Sequence, residues 1–308
     1  MSKKVRVKAP ATISNLNCGF DILGLAVNEP YDIIELEMND SGRIEIADIS
    51  GCQNLSRDPG KNVVGVVLAA MIQHLKTKTG FVASIHKGIN PGSGIGSSAA
   101  SSAGAAYAAN ILLGKRFSEP ELVAFAMEGE KLASGSAHAD NVAPALMGGI
   151  TLVRSYEPLD IVKVTIPSDL YCVIIHPELE IRTSEARKIL DKNIPLNTAV
   201  RQWGNVGGLI AGLYSENYDL ISRSLVDYVA EPKRAALIPD FSEIRDEALK
   251  NGALGAGISG SGPSIFSLCR GPENAALVYT RLVSLMNAKG RAHKAYLSTV
   301  SQSGASEI

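Results

Sequence analysis

Apolar and polar side chains alternate with a period of two at Val5-Arg6-Val7-Lys8, over residues 33–37 and over residues 43–47. That period marks half-buried strands, so the chain is expected to open with β structure. The stretch 62–75 is apolar for too long to be an ordinary strand and ends in polar residues and Gly80, which predicts a helix despite its β-branched valines. A strand over 82–86 then leads through a glycine-rich turn to an Ala-rich run that stops at Gly114, read as a helix with glycine at its C′ position. Ser118 and Glu121 have the spacing of a capping box, with Pro120 in the first turn, and predict a helix reaching about Ser134. A polar loop and a strand over 149–153 follow. Near Pro167 the pattern changes to a strand at 171–175, a series of helical stretches including 242–250, and a closing strand, helix and strand at 264–268, 272–286 and 292–297. A division into 1–165 and 166–308 is therefore expected, with residues 301–308 as a loose tail.

Charge narrows the function. Thirty basic residues face thirty-one acidic ones among 308, a net charge of -1, so no whole-chain field attracts nucleic acid or an anionic membrane, and any anion must be held locally. Cys18, Cys52, Cys172 and Cys269 are far apart and form no C-x-x-C pair, which points to reduced thiols rather than a zinc cage or disulfide framework. The first residues lack the apolar core of a signal peptide and no stretch approaches a membrane span, so a cytoplasmic location is expected.

The sharpest local signal is Pro91-Gly92-Ser93-Gly94-Ile95-Gly96-Ser97-Ser98, between a predicted strand and a predicted helix. Three glycines let the backbone approach a ligand, and the helix start offers unpaired N–H groups to an anion such as phosphate. It is not a Walker loop, because Gly96 is followed by serines and the loop has no lysine; a metal ion would supply the missing charge. A second cluster, Gly255 to Pro263, formally contains G-x-G-x-x-G but runs into a strand rather than a helix, which rejects a dinucleotide site and leaves a close-approach loop or a structural turn. Glu130, His138, Asp140 and Asn141 lie beside the small residues Gly135, Ser136 and Ala137. A carboxylate there suits Mg²⁺ next to phosphate oxygens, against the plainer reading of a solvated acid, while His138 lacks zinc-site spacing. No serine of the glycine loops fits G-x-S-x-G. Residues 10–21 read as an irregular polar stretch after a strand, a common setting for function.

Three motifs in this order resemble the GHMP kinases, and within them the homoserine kinases. Residues 10–21 are similar to the family's P-A-T-S-A-N-L-G-P-G-F-D opening, 91–99 to its phosphate loop, and 257–264 to its closing G-I-S-G-S-G-P-[ST]; 138–144, 183–187 and 232–234 resemble segments around the amino-acid substrate. Asn17-Cys18 stand for the family's Gly-Pro, Ile95 for its leucine, and Ile194-Pro195 are displaced by a few residues. The resemblance implies an α+β fold, with an N-terminal domain like the second domain of ribosomal protein S5 and a ferredoxin-like C-terminal domain. It further implies phosphorylation of the L-homoserine hydroxyl by ATP with Mg²⁺. Carried over by position, Pro91, Gly92, Ser93, Gly94, Ile95, Gly96, Ser97, Ser98, Ala99, Ala100 and Ser101 cradle the phosphates, Asn62 lies by the adenine, and Ser98 and Glu130 hold the metal. Asn15, Asp21, His138, Arg187, Arg234 and Gly260 take the amino acid, whose zwitterion needs one anion and one guanidinium. Asn141 orients the hydroxyl, with Asp140 as base or with no base at all. A homodimer is expected. The alternatives are a different small-molecule kinase on the same scaffold, such as a mevalonate kinase, and a catalytically silent nucleotide-binding regulator.

Overall fold

The computed structural model describes residues 4–308. Its first half runs β1 (Lys4–Asn15), β2 (Gly19–Asn39), β3 (Ile44–Ser50), α1 (Val63–Leu75), β4 (Gly80–His86), α2 (Ser97–Leu112), α3 (Glu119–Ser134), α4 (Val142–Met147), β5 (Ile150–Tyr156) and β6 (Leu159–Val164). The second runs β7 (Leu170–Pro177), α5 (Thr183–Lys188), α6 (Leu196–Tyr214), α7 (Tyr218–Ser224), α8 (Glu231–Arg234), α9 (Phe241–Lys250), β8 (Ala253–Ile258), β9 (Ile265–Arg270), α10 (Gly271–Ala288), β10 (His293–Thr299) and β11 (Ser306–Glu307).

Two sheets organise these elements. The first has seven strands in the order β11-β1-β2-β4-β3, with β5 paired to the start of the long strand β2 and β6 to β5; only β3 and β4 run parallel. The second has the order β10-β7-β9-β8, all antiparallel, which in chain order is 4-1-3-2, the split arrangement of a ferredoxin-like domain. One face of the first sheet packs on α1 to α4 through Ile34, Leu36, Phe81, Val67, Leu68 and Met71. Between the sheets, Ile13, Leu23 and Leu25 meet Cys172, Ile174 and Phe266. Alternation along β7 sends Val173 and Ile175 the other way, against α9 and α10, so this strand is buried on both faces and reads as a continuous apolar run.

The structure corrects several sequence readings. Residues 10–15 are not irregular: β1 continues through them, past a bulge between Pro10 and Thr12, because Ala11 and Ile13 are fully buried and keep the strand in the sheet. The first half of the second glycine cluster is strand β8, and only Ser259 to Pro263 forms the loop. Residues 301–308 are not a loose tail. Ile308 N–H donates to Arg6 O at 2.9 Å and Ala305 N–H to Ala145 O at 2.7 Å, since β1 offers an open edge to which β11 adds.

Candidate active site

The capping box forms as read: Ser118 N–H donates to Glu121 at 2.8 Å and fixes the start of α3, whose last turns carry Glu130. Between α3, the glycine turn and the second domain lies a cleft of about 570 Å³. It gathers Asn15, Asp21, Asn62, Pro91, Gly92, Gly94, Gly96, Ser97, Ser98, Ser101, Glu130, His138, Asp140, Asn141, Arg187, Arg234 and Gly260. Four residues assigned to the phosphate loop do not line it. Ile95, Ala99 and Ala100 are packed in the core, and Ser93 is buried with its carbonyl accepting from Ser264 N–H and Oγ.

The turn is shaped by close approach. Gly96 has φ 68°, and a side chain there would sit 1.9 Å from Thr12 Oγ1; at Gly94, φ 81°, it would be 2.4 Å from Gly262 O. Only glycine fits at either point. Gly96 is also the N-cap of α2 and gives no side-chain cap, so the first N–H groups of that helix are left open to the cleft. Ser97 and Ser101 are already committed, the first donating to Ile89 O at 2.9 Å and the second to Asp32 Oδ2 at 2.9 Å. Beneath the turn, Lys87 is paired with Asp32, both buried, and its Nζ donates to Ser97 O at 2.8 Å and to Ser101 Oγ at 2.9 Å. Lys87 thus stands directly under the turn, with its charge balanced by the Asp32 carboxylate.

Glu130 and Asp140 are buried acids. Desolvation raises the Glu130 carboxyl to about 7, against a hydrogen bond with Ser98 and the field of Lys87. Its Oε1 has no hydrogen-bond partner. Desolvation likewise lifts Asp140 to about 7, with Asp21 and Glu130 adding repulsion. Beside it the Asn141 amide is locked: Thr12 Oγ1 donates to its Oδ1 at 2.8 Å, and its Nδ2 donates to Ser14 Oγ at 2.9 Å. Asn62 is similarly engaged, capping α1 through Val64 N–H and donating to Ser56 O at 2.8 Å.

At the other end, Arg187 holds Asp21 with a two-pronged pair, Nη1 to Oδ2 at 2.9 Å and Nη2 to Oδ1 at 2.8 Å. That bond to Asp21 raises the arginine's pKa further. Arg234 is buried and donates to Gly260 O at 2.7 Å and Ala186 O at 3.2 Å. Both guanidinium carbons approach the Phe20 ring, at 5.4 Å for Arg187 and 5.2 Å for Arg234. Asn15, at φ 73°, accepts from Asp21 N–H at 3.2 Å and donates to Gly260 O at 3.1 Å. His138 Nδ1 is 3.9 Å from Asp21 Oδ2, its pKa lowered by burial. The Tyr156 hydroxyl donates to Asp21 O at 2.7 Å and accepts from Ala139 N–H at 3.3 Å, joining the two loops that carry the acids.

Sequence reasoning missed Thr12, Ser14, Phe20, Asp32, Lys87 and Tyr156 as parts of this assembly. Three of them lie within residues 10–21, where polar side chains on a strand that also carries Ala11 and Ile13 were the available signal. Lys87 follows a predicted strand, with nothing nearby to mark Asp32 as its partner.

The arrangement offers an anion-binding turn, a buried acid with a free oxygen and a site with one carboxylate and two guanidinium groups. A family model described as the N-terminal domain of GHMP kinases matches residues 62–149, and one for their C-terminal domain matches 208–289. The chain is 48% identical over 287 residues to a homoserine kinase of Chlorobium phaeobacteroides, covering 90% of each. A crystal structure of homoserine kinase from Cytophaga hutchinsonii superposes with a TM-score of 0.96 at 47% identity, over 100% of this chain and 98% of that one. A mevalonate kinase from L. major, at 18% identity over 97% of this chain and 99% of that one, has a TM-score of 0.73 and shares the fold.

Proposed function

We propose, from the premise that this chain belongs to the GHMP kinase family and is a homoserine kinase, that its cleft binds ATP at the glycine turn and L-homoserine at Asp21. The γ-phosphoryl group then passes to the side-chain hydroxyl, giving ADP and O-phospho-L-homoserine. The observation that carries this reading is the two-pronged Asp21–Arg187 pair facing the same cleft as Ser98 and Glu130. An amino acid brings an ammonium for Asp21 and a carboxylate for the guanidinium groups, exchanging one ion pair for two. An uncharged polyol would have to leave that pair intact or bury its members unpaired, at a cost of several kcal/mol.

Phosphoryl transfer depends chiefly on positioning and charge neutralisation. The open N–H groups at the start of α2 hold phosphate oxygens, and Lys87 keeps Ser97 and Ser101 in place below them. Glu130 and Ser98 fit a divalent cation, since Glu130 Oε1 is buried without a partner and its charged form is disfavoured in the protein alone. Mg²⁺ bound there would neutralise phosphate charge. Asn141, fixed by Thr12 and Ser14, keeps one amide N–H for the substrate hydroxyl. Asp140, with a pKa of about 7, is suited to take the hydroxyl proton near neutral pH. Arg234 and Asn15 hold Gly260, and His138 stands by Asp21 at the amino-acid end.

The chain divides near residue 165 into a nucleotide half and a second half whose last strand returns to the first sheet. Among the described residues no helix is long and apolar enough to cross a membrane. Threonine biosynthesis in the cytoplasm, by a homodimer, is the setting that this reaction suits. The test is ADP release with L-homoserine, mevalonate, galactose and shikimate. Strong turnover with L-homoserine alone is expected; equal or better turnover of mevalonate would overturn the assignment.

A further inference from the structure

The β1–β2 turn that carries Asp21 is built against the preference of its own backbone. Asn15, Leu16 and Asn17 follow one another at φ 73°, 42° and 58°, and Asp21 sits at φ 61°. L-residues adopt this left-handed conformation rarely, and a run of three persists only where surrounding groups over-determine it. Asparagine tolerates it better than most, and Asn17 takes the place of a glycine in the family's opening motif. That exchange adds a side chain, and the side chain is used. Asn17 is 3% exposed, and its Nδ2 donates to Glu231 Oε2 and to Ala256 O, both at 3.2 Å. Glu231 Oε2 also accepts from Ile258 N–H at 3.2 Å, so one oxygen joins the turn to the end of β8. The fit is close: a side chain at Gly257 would lie 2.1 Å from Asn17 Nδ2 and 2.5 Å from Glu231 Oε2.

Neither Asn17 nor Glu231 lines the cleft. They stand one layer behind it, around a cavity of about 10 Å³ that shares Asn15, Arg234 and Gly260 with the cleft wall. A space of that size takes no more than one water, so both residues act on the amino-acid end only through the groups in front of them. Glu231 opens α8, and Arg234 lies three positions on, one turn along the same face. Asp227 fixes the start of that helix, its carboxylate accepting from the N–H groups of Val229, Ala230 and Glu231 at 2.8, 3.1 and 2.7 Å. One short helix thus grips the turn through Glu231 and reaches Gly260 O through Arg234. Desolvation raises the Glu231 carboxyl to about 7, against the hydrogen bond from Ile258, so burial disfavours its charge. Arg245 Nη1 approaches Oε1, at 3.9 Å, and leaves Oε2 as an acceptor for the turn.

We propose that Glu231 is a positioning residue for the amino-acid substrate: acting through Asn17, it clamps the β1–β2 turn to β8 and so sets where Phe20 and Asp21 stand relative to Arg234. The inference rests on the homoserine-kinase reading of the cleft and adds to it a residue that never touches substrate. A Gly-Pro pair stiffens such a turn through the proline ring. Asn17-Cys18 has no ring, and the turn is stiffened from α8 instead.

Steady-state kinetics with L-homoserine and with ATP are measured for Asn17→Gly, Glu231→Ala, the double variant and Glu231→Gln. Glycine suits φ 58°, so Asn17→Gly keeps the turn accessible while releasing the clamp. The KM for L-homoserine should rise on the order of tenfold in Asn17→Gly and in Glu231→Ala, the scale of one lost hydrogen bond to a charged group, with the KM for ATP unchanged. Because both substitutions break one contact, the double variant should be no more than about twofold worse than the worse single variant. Glu231→Gln retains an acceptor oxygen and should stay within about threefold of wild type. A lowered kcat at unchanged KM values, which is what a merely less stable fold gives, would overturn the proposal. So would single effects that multiply in the double variant, or a glutamine variant as impaired as the alanine one. Should Glu231→Ala not fold, Asn17→Gly and Glu231→Gln decide the matter between them. Wild-type protein that fails to turn over L-homoserine would remove the underlying reading and this one with it, whereas wild-type turnover with unmoved KM values in the variants would sink the clamp alone.

Discussion

Replacing Glu130 by glutamine should make the protein more stable and less active, and the stability gain should depend on pH. In the fold, desolvation raises this carboxyl from its ordinary 4.5 to about 7. The folded state therefore holds the proton more tightly than the unfolded chain. Stability falls as pH rises from 4.5 through 7 and is level beyond. A difference of about 2.5 units, at about 1.4 kcal/mol each, opposes folding by about 3 kcal/mol at pH 8 and by nothing at pH 4. Glutamine carries no charge to desolvate, so Glu130→Gln should melt above wild type at pH 8, by on the order of 5 to 10 °C, and level with it at pH 4. Addition of ADP with Mg²⁺ should narrow the gap at pH 8, because the carboxylate alone gains a cation partner. Turnover at saturating ATP and Mg²⁺ should fall on the order of a hundredfold, the scale on which one preorganised electrostatic group is lost. Differential scanning calorimetry across pH, paired with ADP release, measures both sides. A melting difference that ignores pH, together with turnover within a few-fold of wild type, would refute the reasoning and make Glu130 a structural acid.

Asp140→Asn should lower kcat by at least about a hundredfold and remove the rise in activity through about pH 7, the contribution and the pKa expected of a general base. A loss below about tenfold in a pH profile would instead assign the step to transfer oriented by Asn141 alone. Phe20→Leu keeps an apolar side chain but removes the ring shared by Arg187 and Arg234, worth about 0.5 to 2 kcal/mol. The KM for L-homoserine should therefore rise by roughly two- to thirtyfold with the KM for ATP unchanged, and an equal rise in both would rule out a role at the amino-acid end.

What the sequence determined by itself is local. Strand period, the Ser118–Glu121 cap and the glycine turn depend on residues within a few positions of one another, so β4, the turn and α2 are legible from their order alone. Even Gly94 and Gly96 follow this rule in part, because a left-handed backbone favours glycine whatever lies opposite. What lies opposite was decided only by tertiary structure. Thr12 and Ser14 reach the Asn141 amide across 129 and 127 positions, and Lys87 meets Asp32 across 55. Arg187 and Arg234 share Phe20 only because α5 and α8 close over the β1–β2 turn. The same holds for burial: the sequence left Glu130 between a metal ligand and a solvated acid, and only the fold raises its pKa, since desolvation is set by the elements packed around it. The final residues look like a polar tail until the open edge of β1 gives their backbone somewhere to bond. Period and cap are properties of a segment, whereas ion pairs, pKa values and edge pairing belong to segments that meet only when the chain closes.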